Sequence, residues 1–280
     1  MDQQGRLAGK KAFITGGGTG IGRGIALEFA RQGADVAIHY GHSDKGARSA
    51  VEEARAMGRR AEVIQADFVN GEAAVKAADQ AIEFLGGIDC LVNNAGISMN
   101  RPFLQVNFEQ FDTLMNVNVR SPFFVARRVA EYMEEHGGGA ICNLTSIHGF
   151  QGAPEHSVYA ATNGAIIAYT RTLGIELAHK GVRVNAIAPG WVTVENYFKA
   201  IPGFNEKDAA ETAKNVVPAA RYGLPADIAK LAVFLCSDDA SFIIGQTIIS
   251  DGGTTALMSL LSDFRNQSAN RFGTGYVPGL

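Results

Sequence analysis

The chain has 280 residues, of which 46% are hydrophobic and 19% charged, and its formal net charge is -3. This length allows one large hydrophobic core, so we expect a single domain over residues 1–280. No Lys/Arg-rich run is present, which argues against a nucleic-acid partner. No apolar stretch reaches the ~18 residues of a membrane span, and the N-terminal residues lack a signal-peptide pattern. We therefore expect a cytoplasmic protein whose partner is a small molecule.

The cysteine pattern gives no sign of a disulfide or a metal centre. Cys90, Cys142 and Cys236 are odd in number and lie far apart, without metal-ligand spacing. We expect them to be reduced, buried thiols. His148 lies near Glu155 and His156, but this spacing is not a recognisable metal motif, so no metal is predicted.

Short β-branched runs alternate with longer helical segments along the chain. The predicted strands are Lys11–Thr15, Asp35–His39, Glu62–Gln65, Ile88–Val92, Ala140–Leu144, Val182–Ile187 and Thr247–Ser250. Helices are predicted at 47–57, 73–85 and 108–135, where apolar residues recur at three- and four-residue spacing. Several strands are apolar almost throughout, as strands covered on both faces are. This alternation predicts an α/β fold with a doubly wound parallel sheet of about seven strands and helices on both faces.

Two segments interrupt the alternation. Residues 191–224 form a long excursion before the next predicted helix, and we expect them to serve as a substrate loop. Residues 254–280 form a C-terminal extension that carries Phe264, Phe272, Tyr276 and Val277. Because these side chains are poor choices for a solvated tail, we expect the extension to pack over a substrate pocket.

A glycine-rich loop follows the first predicted strand directly. Gly16, Gly20 and Gly22 are spaced G-x-x-x-G-x-G, and a helix begins within the loop. Glycines permit the tight turn and let backbone N–H groups approach a pyrophosphate, while the helix N-terminus adds partial positive charge. A glycine loop at this position in a βαβ unit predicts a dinucleotide site.

Several further motifs follow at family-like spacing. They are TGGGTGIG at 15–22, NNAG at 93–96, Asn118 in NVNVRS, Ser146 in NLTSIHG, Tyr159 thirteen residues later, and APG at 188–190. In this combination the sequence resembles the short-chain dehydrogenase/reductase family over roughly residues 8 to 253. The resemblance implies a single Rossmann-like domain, a nicotinamide cofactor and a homotetramer or homodimer.

The resemblance also implies roles for individual residues. Tyr159 would be the general acid/base at the substrate oxygen, and Ser146 would hydrogen-bond that oxygen and stabilise its developing charge. Asn118 would hold a water in a proton relay. The alternatives are a core or interface phenol for Tyr159, a satisfied loop hydroxyl for Ser146 and a helix-kink amide for Asn118.

Asn163 departs from the family pattern, which has a lysine four residues after the tyrosine. In the family that lysine contacts the nicotinamide ribose, and its charge helps the phenol to ionise. An asparagine amide can bind the ribose hydroxyls, but it cannot supply the charge. Three explanations stay open: a slow or alkaline enzyme, a position changed deliberately to trap a complex, and a protein that binds the nucleotide without turnover.

The end of the second predicted strand bears on the choice of cofactor. Tyr40 stands where a carboxylate would bind the ribose of NAD and repel the 2'-phosphate of NADP. Lys45 follows, but Thr19 stands where many NADP-dependent relatives have a basic residue. We expect NADP, with NAD as the alternative. The predicted cofactor contacts are Gly16, Thr19, Gly20, Ile21, Gly22, Tyr40, His42, Ser43, Asp67, Phe68, Asn94, Ala95, Gly96, Tyr159, Asn163, Pro189, Gly190, Val192 and Thr193.

The predicted substrate region is rich in polar side chains. It comprises Ser98–Arg101, Ile147–His156 and Trp191–Phe204, and its predicted substrate contacts are Ser146, His148, Gln151, Tyr159 and Trp191. Polar density with an aromatic side chain suits a polyhydroxylated ligand. We therefore expect an oxidoreductase that acts on a secondary alcohol or ketone of a sugar or polyol. The alternatives are a 3-oxoacyl thioester reductase and a nucleotide-binding pseudoenzyme.

Overall fold

The computed structural model describes residues 5–195, 197, 203–258 and 265. Seven parallel strands form one sheet in the order β3-β2-β1-β4-β5-β6-β7. The strands are β1 Lys11–Ile14, β2 Asp35–Tyr40, β3 Ala61–Gln65, β4 Cys90–Asn93, β5 Gly139–Leu144, β6 Val182–Pro189 and β7 Thr247–Ser250. The prediction of a doubly wound parallel sheet is confirmed, and each predicted strand overlaps an observed one.

The helices lie in two layers that cover the sheet. They are α1 Gly20–Arg31, α2 Asp44–Ala56, α3 Gly71–Leu85, α4 Phe108–Met115, α5 Ser121–Glu135, α6 Ser157–Ala178, α7 Glu206–Val216 and α8 Pro225–Cys236. One core cluster contains buried side chains of α1, α2 and α8. The other contains buried side chains of α3 and α5, with Leu173 and Leu177 of α6 packed against it. The near-continuous apolar strands are therefore buried from both sides.

The predicted helix 108–135 is wrong in one respect, because it is not a single regular helix. Residues Asn116–Arg120 form a turn of π-helix between α4 and α5. The extra residue in this turn re-aims the chain, and such turns are frequent at functional sites. Asn118 lies in this turn and is buried.

The strand order reverses between β1 and β4. β1 pairs with β2 on one side and with β4 on the other. In open α/β sheets, ligands bind at the carboxyl ends of the strands where the order reverses. The glycine loop follows β1 and the NNAG motif follows β4, so both motifs meet at this point.

The three cysteines are free and buried, as the sequence predicts, and burial raises the pKa of the Cys142 thiol to about 12. No helix within the described part of the chain is long and apolar enough to cross a membrane. Of the C-terminal extension, residues 254–258 and 265 are described. Phe264, Phe272, Tyr276 and Val277 lie outside the described residues. Arg265 donates hydrogen bonds to the carbonyl oxygens of Asn215 and Val217, at 2.9 and 2.7 Å, where α7 ends.

Candidate cofactor and active site

The glycine loop is tied to the end of β4 by hydrogen bonds. The Thr15 hydroxyl accepts from the backbone N–H groups of Asn94 and Ala95, both at 3.0 Å. The Asn94 amide donates to the carbonyl oxygens of Thr15 and Gly16 at 3.1 and 3.2 Å. A Cβ atom on Gly22 would lie 2.2 Å from the Gly16 oxygen. The close packing explains the glycines, and it fixes the loop relative to the NNAG segment.

The first N–H group of α1 already holds an anionic oxygen. Glu195 accepts a hydrogen bond from the Gly20 backbone nitrogen at 3.0 Å, although it lies 175 residues further along the chain. Thr19, the N-cap residue, makes no side-chain cap of its own. A carboxylate oxygen at a helix N-terminus stands in for a phosphate oxygen. The N-terminus of α1 therefore accepts an anionic oxygen, and the pyrophosphate contact of the glycine loop stays a prediction.

Near the end of β2, three side chains form a linked polar group. The Tyr40 hydroxyl donates to Asp44 at 2.6 Å, and Arg48 donates to both oxygens of Asp44 at 2.9 and 3.1 Å. These bonds lower the pKa of the Asp44 carboxyl. Sequence reasoning missed Asp44 and Arg48, because they lie in α2 rather than at the strand end. His42 is exposed, and Ser43 is the N-cap residue of α2.

Asp67 and Phe68, the predicted adenine contacts, both make contacts within the protein. Asp67 accepts from the Val69 backbone N–H at 2.9 Å, so its carboxylate shapes the loop after β3. Phe68 is buried and stacks on His39 with the ring centroids 4.0 Å apart. The Phe68 ring therefore belongs to the core, and a cofactor contact by this residue stays a prediction.

Ser146 and Tyr159 lie at the carboxyl end of the sheet. Ser146 follows β5, and its hydroxyl accepts from the His148 backbone N–H at 3.2 Å. Tyr159 lies in the first turn of α6, and its ring centroid is 5.5 Å from that of His148. His148 stacks on His156 at 4.7 Å, and burial together with His156 lowers the pKa of His148. The predicted residues Ser146, His148 and Tyr159 are thus brought together, and Gln151 is exposed.

Asn118 uses its side chain to hold the loop after β4. Its Oδ1 accepts from the Ile97 backbone nitrogen and its Nδ2 donates to the Ile97 oxygen, both at 2.8 Å. A further bond, at 3.3 Å, reaches the Thr162 hydroxyl. These bonds agree with the alternative of a helix-kink amide, and the water-holding role implied by the family stays a prediction.

Asn163 turns inward rather than towards the surface of the site. It is 3% exposed. Its Nδ2 donates to the Tyr159 carbonyl oxygen at 2.8 Å, and its Oδ1 accepts from the Thr145 hydroxyl at 3.1 Å. Each end of the amide thus already has a protein partner. A ribose contact remains a prediction, and it has to share or displace these bonds.

The segment after β6 closes over the glycine loop. Val192 is buried and forms an isolated parallel bridge with Gly223. The Thr193 hydroxyl is buried without a partner among the described residues. Val194 contacts the position that a Gly20 side chain would fill. Val194 and Glu195 both approach Gly20, and the cofactor contacts expected at Val192 and Thr193 stay predictions.

A cavity of about 410 Å³ opens beside this segment. Its lining residues include the aromatic Trp191, Tyr197 and Phe204 and the polar Asn205, Asp208 and Thr212. Burial and the nearby Tyr159 raise the pKa of the Tyr197 phenol. Tyr197 therefore links the cavity to the surroundings of Tyr159, which is not itself a lining residue. Asn196, another predicted substrate-region residue, lies outside the described residues.

Comparison with known proteins identifies the family. A family model described as enoyl-(acyl carrier protein) reductase matches residues 16–255. A hydroxynaphthalene reductase of Aspergillus fumigatus is 38% identical over 248 residues, which cover 86% of this chain and 90% of the relative. A solved short-chain dehydrogenase from Burkholderia cenocepacia, in complex with NADP, superposes with a TM-score of 0.80 at 33% identity, covering 89% of this chain and 99% of that one. The chain belongs to the short-chain dehydrogenase/reductase family.

Membership of the short-chain dehydrogenase/reductase family makes the protein an NAD(P)-dependent oxidoreductase. A 3-oxoacyl-(acyl-carrier-protein) reductase of Staphylococcus epidermidis is also similar, at 36% identity over 87% of this chain and 98% of the relative. A solved 7α-hydroxysteroid dehydrogenase complexed with NADH superposes with a TM-score of 0.83 at 34% identity, covering 90% of this chain and 97% of that one. Relatives of similar likeness therefore bind either nicotinamide cofactor and act on unlike substrates.

Proposed function

We propose that the protein interconverts a secondary alcohol and a ketone on a sugar or polyol, with Tyr159 as the general acid/base. The observation that carries the proposal is the grouping of Ser146, His148 and Tyr159. The His148 backbone binds the Ser146 hydroxyl at 3.2 Å, and its ring lies 5.5 Å from Tyr159. A substrate oxygen between the serine and tyrosine hydroxyls would have a hydrogen-bond donor and a proton-transfer group at once.

The nicotinamide cofactor supplies the hydride acceptor or donor when it is bound. In the oxidation direction, Tyr159 removes the hydroxyl proton of the substrate, and in reduction it returns a proton to the carbonyl oxygen. Ser146 donates to that oxygen and stabilises the charge that develops on it. The polar side chains His148 and His156 border the same space and suit a ligand with several hydroxyl groups.

A second candidate substrate is a ketone on a hydroxylated aromatic ring system. The aromatic wall of Trp191, Tyr197 and Phe204 favours it, because flat rings stack well on such side chains. The hydroxynaphthalene reductase relative acts on a ligand of this kind by its name. A panel of sugars, polyols, aromatic ketones and 3-oxoacyl thioesters, followed by the absorbance of the reduced nicotinamide, separates the candidates. The proposal fails if only the thioesters turn over.

NADP is the preferred cofactor in this proposal. Lys45 and Arg48 are exposed in the first turns of α2, beside Tyr40. The carboxylate of Asp44 would repel a 2'-phosphate, but its charge is paired with that of Arg48. We expect NADPH to bind more tightly than NADH, and Asp44→Asn to widen the difference by freeing the guanidinium group. Titration by calorimetry measures both, and tighter binding of NADH would reject the preference.

A homotetramer or homodimer is part of the proposal. Three apolar side chains around the start of α4 are exposed: Phe103 by 73%, Leu104 by 93% and Phe108 by 89%. Such exposed apolar side chains mark protein contacts in soluble proteins. Light scattering gives the mass in solution, and a monomer at micromolar concentration would contradict this part.

A further inference from the structure

His39 is a buried imidazole directly beneath the glycine loop. It lies in β2 and is 2% exposed. Its backbone carbonyl accepts from the Gly17 N–H at 2.8 Å, as an extension of the strand pairing. Its ring Nδ1 accepts from the Gly16 N–H at 3.1 Å, so one residue contacts the loop through both backbone and ring.

Two hydrogen bonds define which ring nitrogen carries the proton. Nε2 lies 3.0 Å from the Ala66 carbonyl oxygen, which can only accept, so Nε2 must donate. Nδ1 lies 3.1 Å from the Gly16 backbone nitrogen, which can only donate, so Nδ1 must be an unprotonated acceptor. The contacts therefore require the neutral imidazole, protonated at Nε2.

Gly16 has little freedom to find another acceptor. Its φ angle is +66°, in the left-handed region. A Cβ atom there would lie 2.8 Å from the Ala95 Cα. The residue is therefore held between the β4 end and the His39 ring. Without Nδ1, the Gly16 N–H would lose its hydrogen-bond acceptor in a partly buried place, which is costly.

The other side of the ring reaches the loop after β3. His39 stacks on Phe68 with an interplanar angle of 19°. The Phe68 carbonyl accepts from the Ser121 hydroxyl at 2.6 Å. Ala66 and Phe68 flank Asp67, the predicted adenine contact. One side chain thus connects the phosphate-binding loop with the segment predicted to face the adenosine.

We propose that His39 is a positioning residue for the nicotinamide cofactor, whose Nε2-protonated ring holds Gly16 and the β3–α3 loop at the spacing that a dinucleotide needs. The inference rests on the family's cofactor and is independent of the substrate. Burial lowers the pKa of His39 to about 4, while the Ala66 carbonyl opposes that shift. The ring therefore stays neutral at physiological pH.

The elements around His39 carry the titratable groups Tyr40 on β2, Asp44 at the start of α2, Glu62 on the paired strand β3 and Asp67 after Ala66. The pKa of His39 is lowered by burial and not by any of these groups.

The test compares two substitutions at His39 in the full-length protein. His39→Phe keeps an aromatic ring against Phe68 but loses both hydrogen bonds. His39→Asn loses the ring but keeps an acceptor, since its Oδ1 occupies the place of Nδ1. We expect His39→Phe to raise the dissociation constants of NADPH and NADH by about tenfold or more, equally for both. We expect His39→Asn to recover to within about threefold of the original protein.

A matched destabilising control separates positioning from general loss of stability. Val36→Ala removes buried volume from the same strand without touching the loop. We expect it to lower the melting temperature and leave the cofactor constants within about twofold. In steady-state kinetics, His39→Phe should raise the cofactor KM and leave the KM of the alcohol or ketone nearly unchanged.

Nitrogen NMR of the unchanged protein gives a test that needs no substitution. The two-bond spectrum of His39 should show an Nε2-protonated neutral ring from pH 8 to about pH 5. An Nδ1-protonated ring would overturn the proposal. The proposal would also be overturned if His39→Phe bound the cofactors as tightly as the unchanged protein, or if His39→Asn bound them no more tightly than His39→Phe. If the unchanged protein binds neither cofactor, the proposed oxidoreductase function fails as well. This result distinguishes failure of the proposed function from failure of the His39 proposal alone.

Discussion

Asn163→Lys is the substitution that probes the departure from the family pattern. It replaces a neutral amide four residues after Tyr159 with a positive charge on a longer stem. Thr145 loses one acceptor, but its hydroxyl also donates to the Asn163 backbone oxygen at 3.0 Å, which remains. The bond from the Asn163 Nδ2 to the Tyr159 carbonyl oxygen is lost as well, so we expect a loss on the order of 2 kcal/mol of stability, to which the cost of placing a charge at a buried position adds.

The expected gain in rate follows from the spacing of the two side chains. Residues four apart on a helix have Cβ atoms about 5–6 Å apart. A unit charge about 5 Å from a phenolate, at an effective dielectric constant of about 20, stabilises it by about 3 kcal/mol. This corresponds to roughly a hundredfold more phenolate at neutral pH. Solvent screening reduces the effect, so a rise of ten- to a hundredfold in the oxidation rate is the expected range.

The assay is the pH–rate profile of alcohol oxidation with a substrate found by the panel. The rising limb should move to lower pH in Asn163→Lys, while Asn163→Gln, which lengthens the side chain without adding a charge, should leave it in place. Tyr159→Phe should abolish the activity of either background. An unchanged rate and profile in Asn163→Lys would refute the reasoning, because the charge would then be supplied elsewhere.

The remaining predictions concern stability and loop contacts. Burial lowers the pKa of His39 to about 4, so as the pH falls the unfolded chain takes up a proton at this residue before the folded protein does. The free energy of unfolding should therefore be fully supported by the neutral ring above about pH 6.5 and should fall by about 3 kcal/mol towards pH 4. Urea titrations measure this change. A flat profile over that range would contradict it. Glu195→Gln removes the charge at Gly20 and should tighten cofactor binding about two- to tenfold in calorimetry; weaker binding would show that the carboxylate assists instead. Truncation after residue 261 removes the two hydrogen bonds of Arg265 and should raise the substrate KM, and unchanged kinetics would make the extension dispensable.

Sequence patterns predicted the elements whose signals are local. The apolar runs located β1–β7, and the glycine spacing located the loop after β1. The site residues Ser146 and Tyr159 were found because their spacing is typical of the family. These features depend on short stretches of chain, where residue type limits the backbone directly.

Other features depend on contacts between distant parts of the chain. The contact of Glu195 with Gly20 joins residues 175 positions apart, and no local pattern indicates it. The π-helical turn around Asn118 coincides with hydrogen bonds to Ile97, a contact between segments that helical periodicity does not report, so the sequence predicted one continuous helix. The inward turn of Asn163 needs the position of Thr145 on a neighbouring segment, which the sequence does not supply.

The most direct test of the account is turnover by the unchanged protein and by Tyr159→Phe, measured side by side. The panel of alcohols and ketones is run with NADP(H) and NAD(H) at several pH values, following the absorbance of the reduced nicotinamide, and cofactor affinity is measured for both proteins. The account predicts turnover of at least one alcohol–ketone pair by the unchanged protein, and its loss in Tyr159→Phe with cofactor affinity retained. Cofactor binding without turnover of any compound, or full activity in Tyr159→Phe, would contradict it.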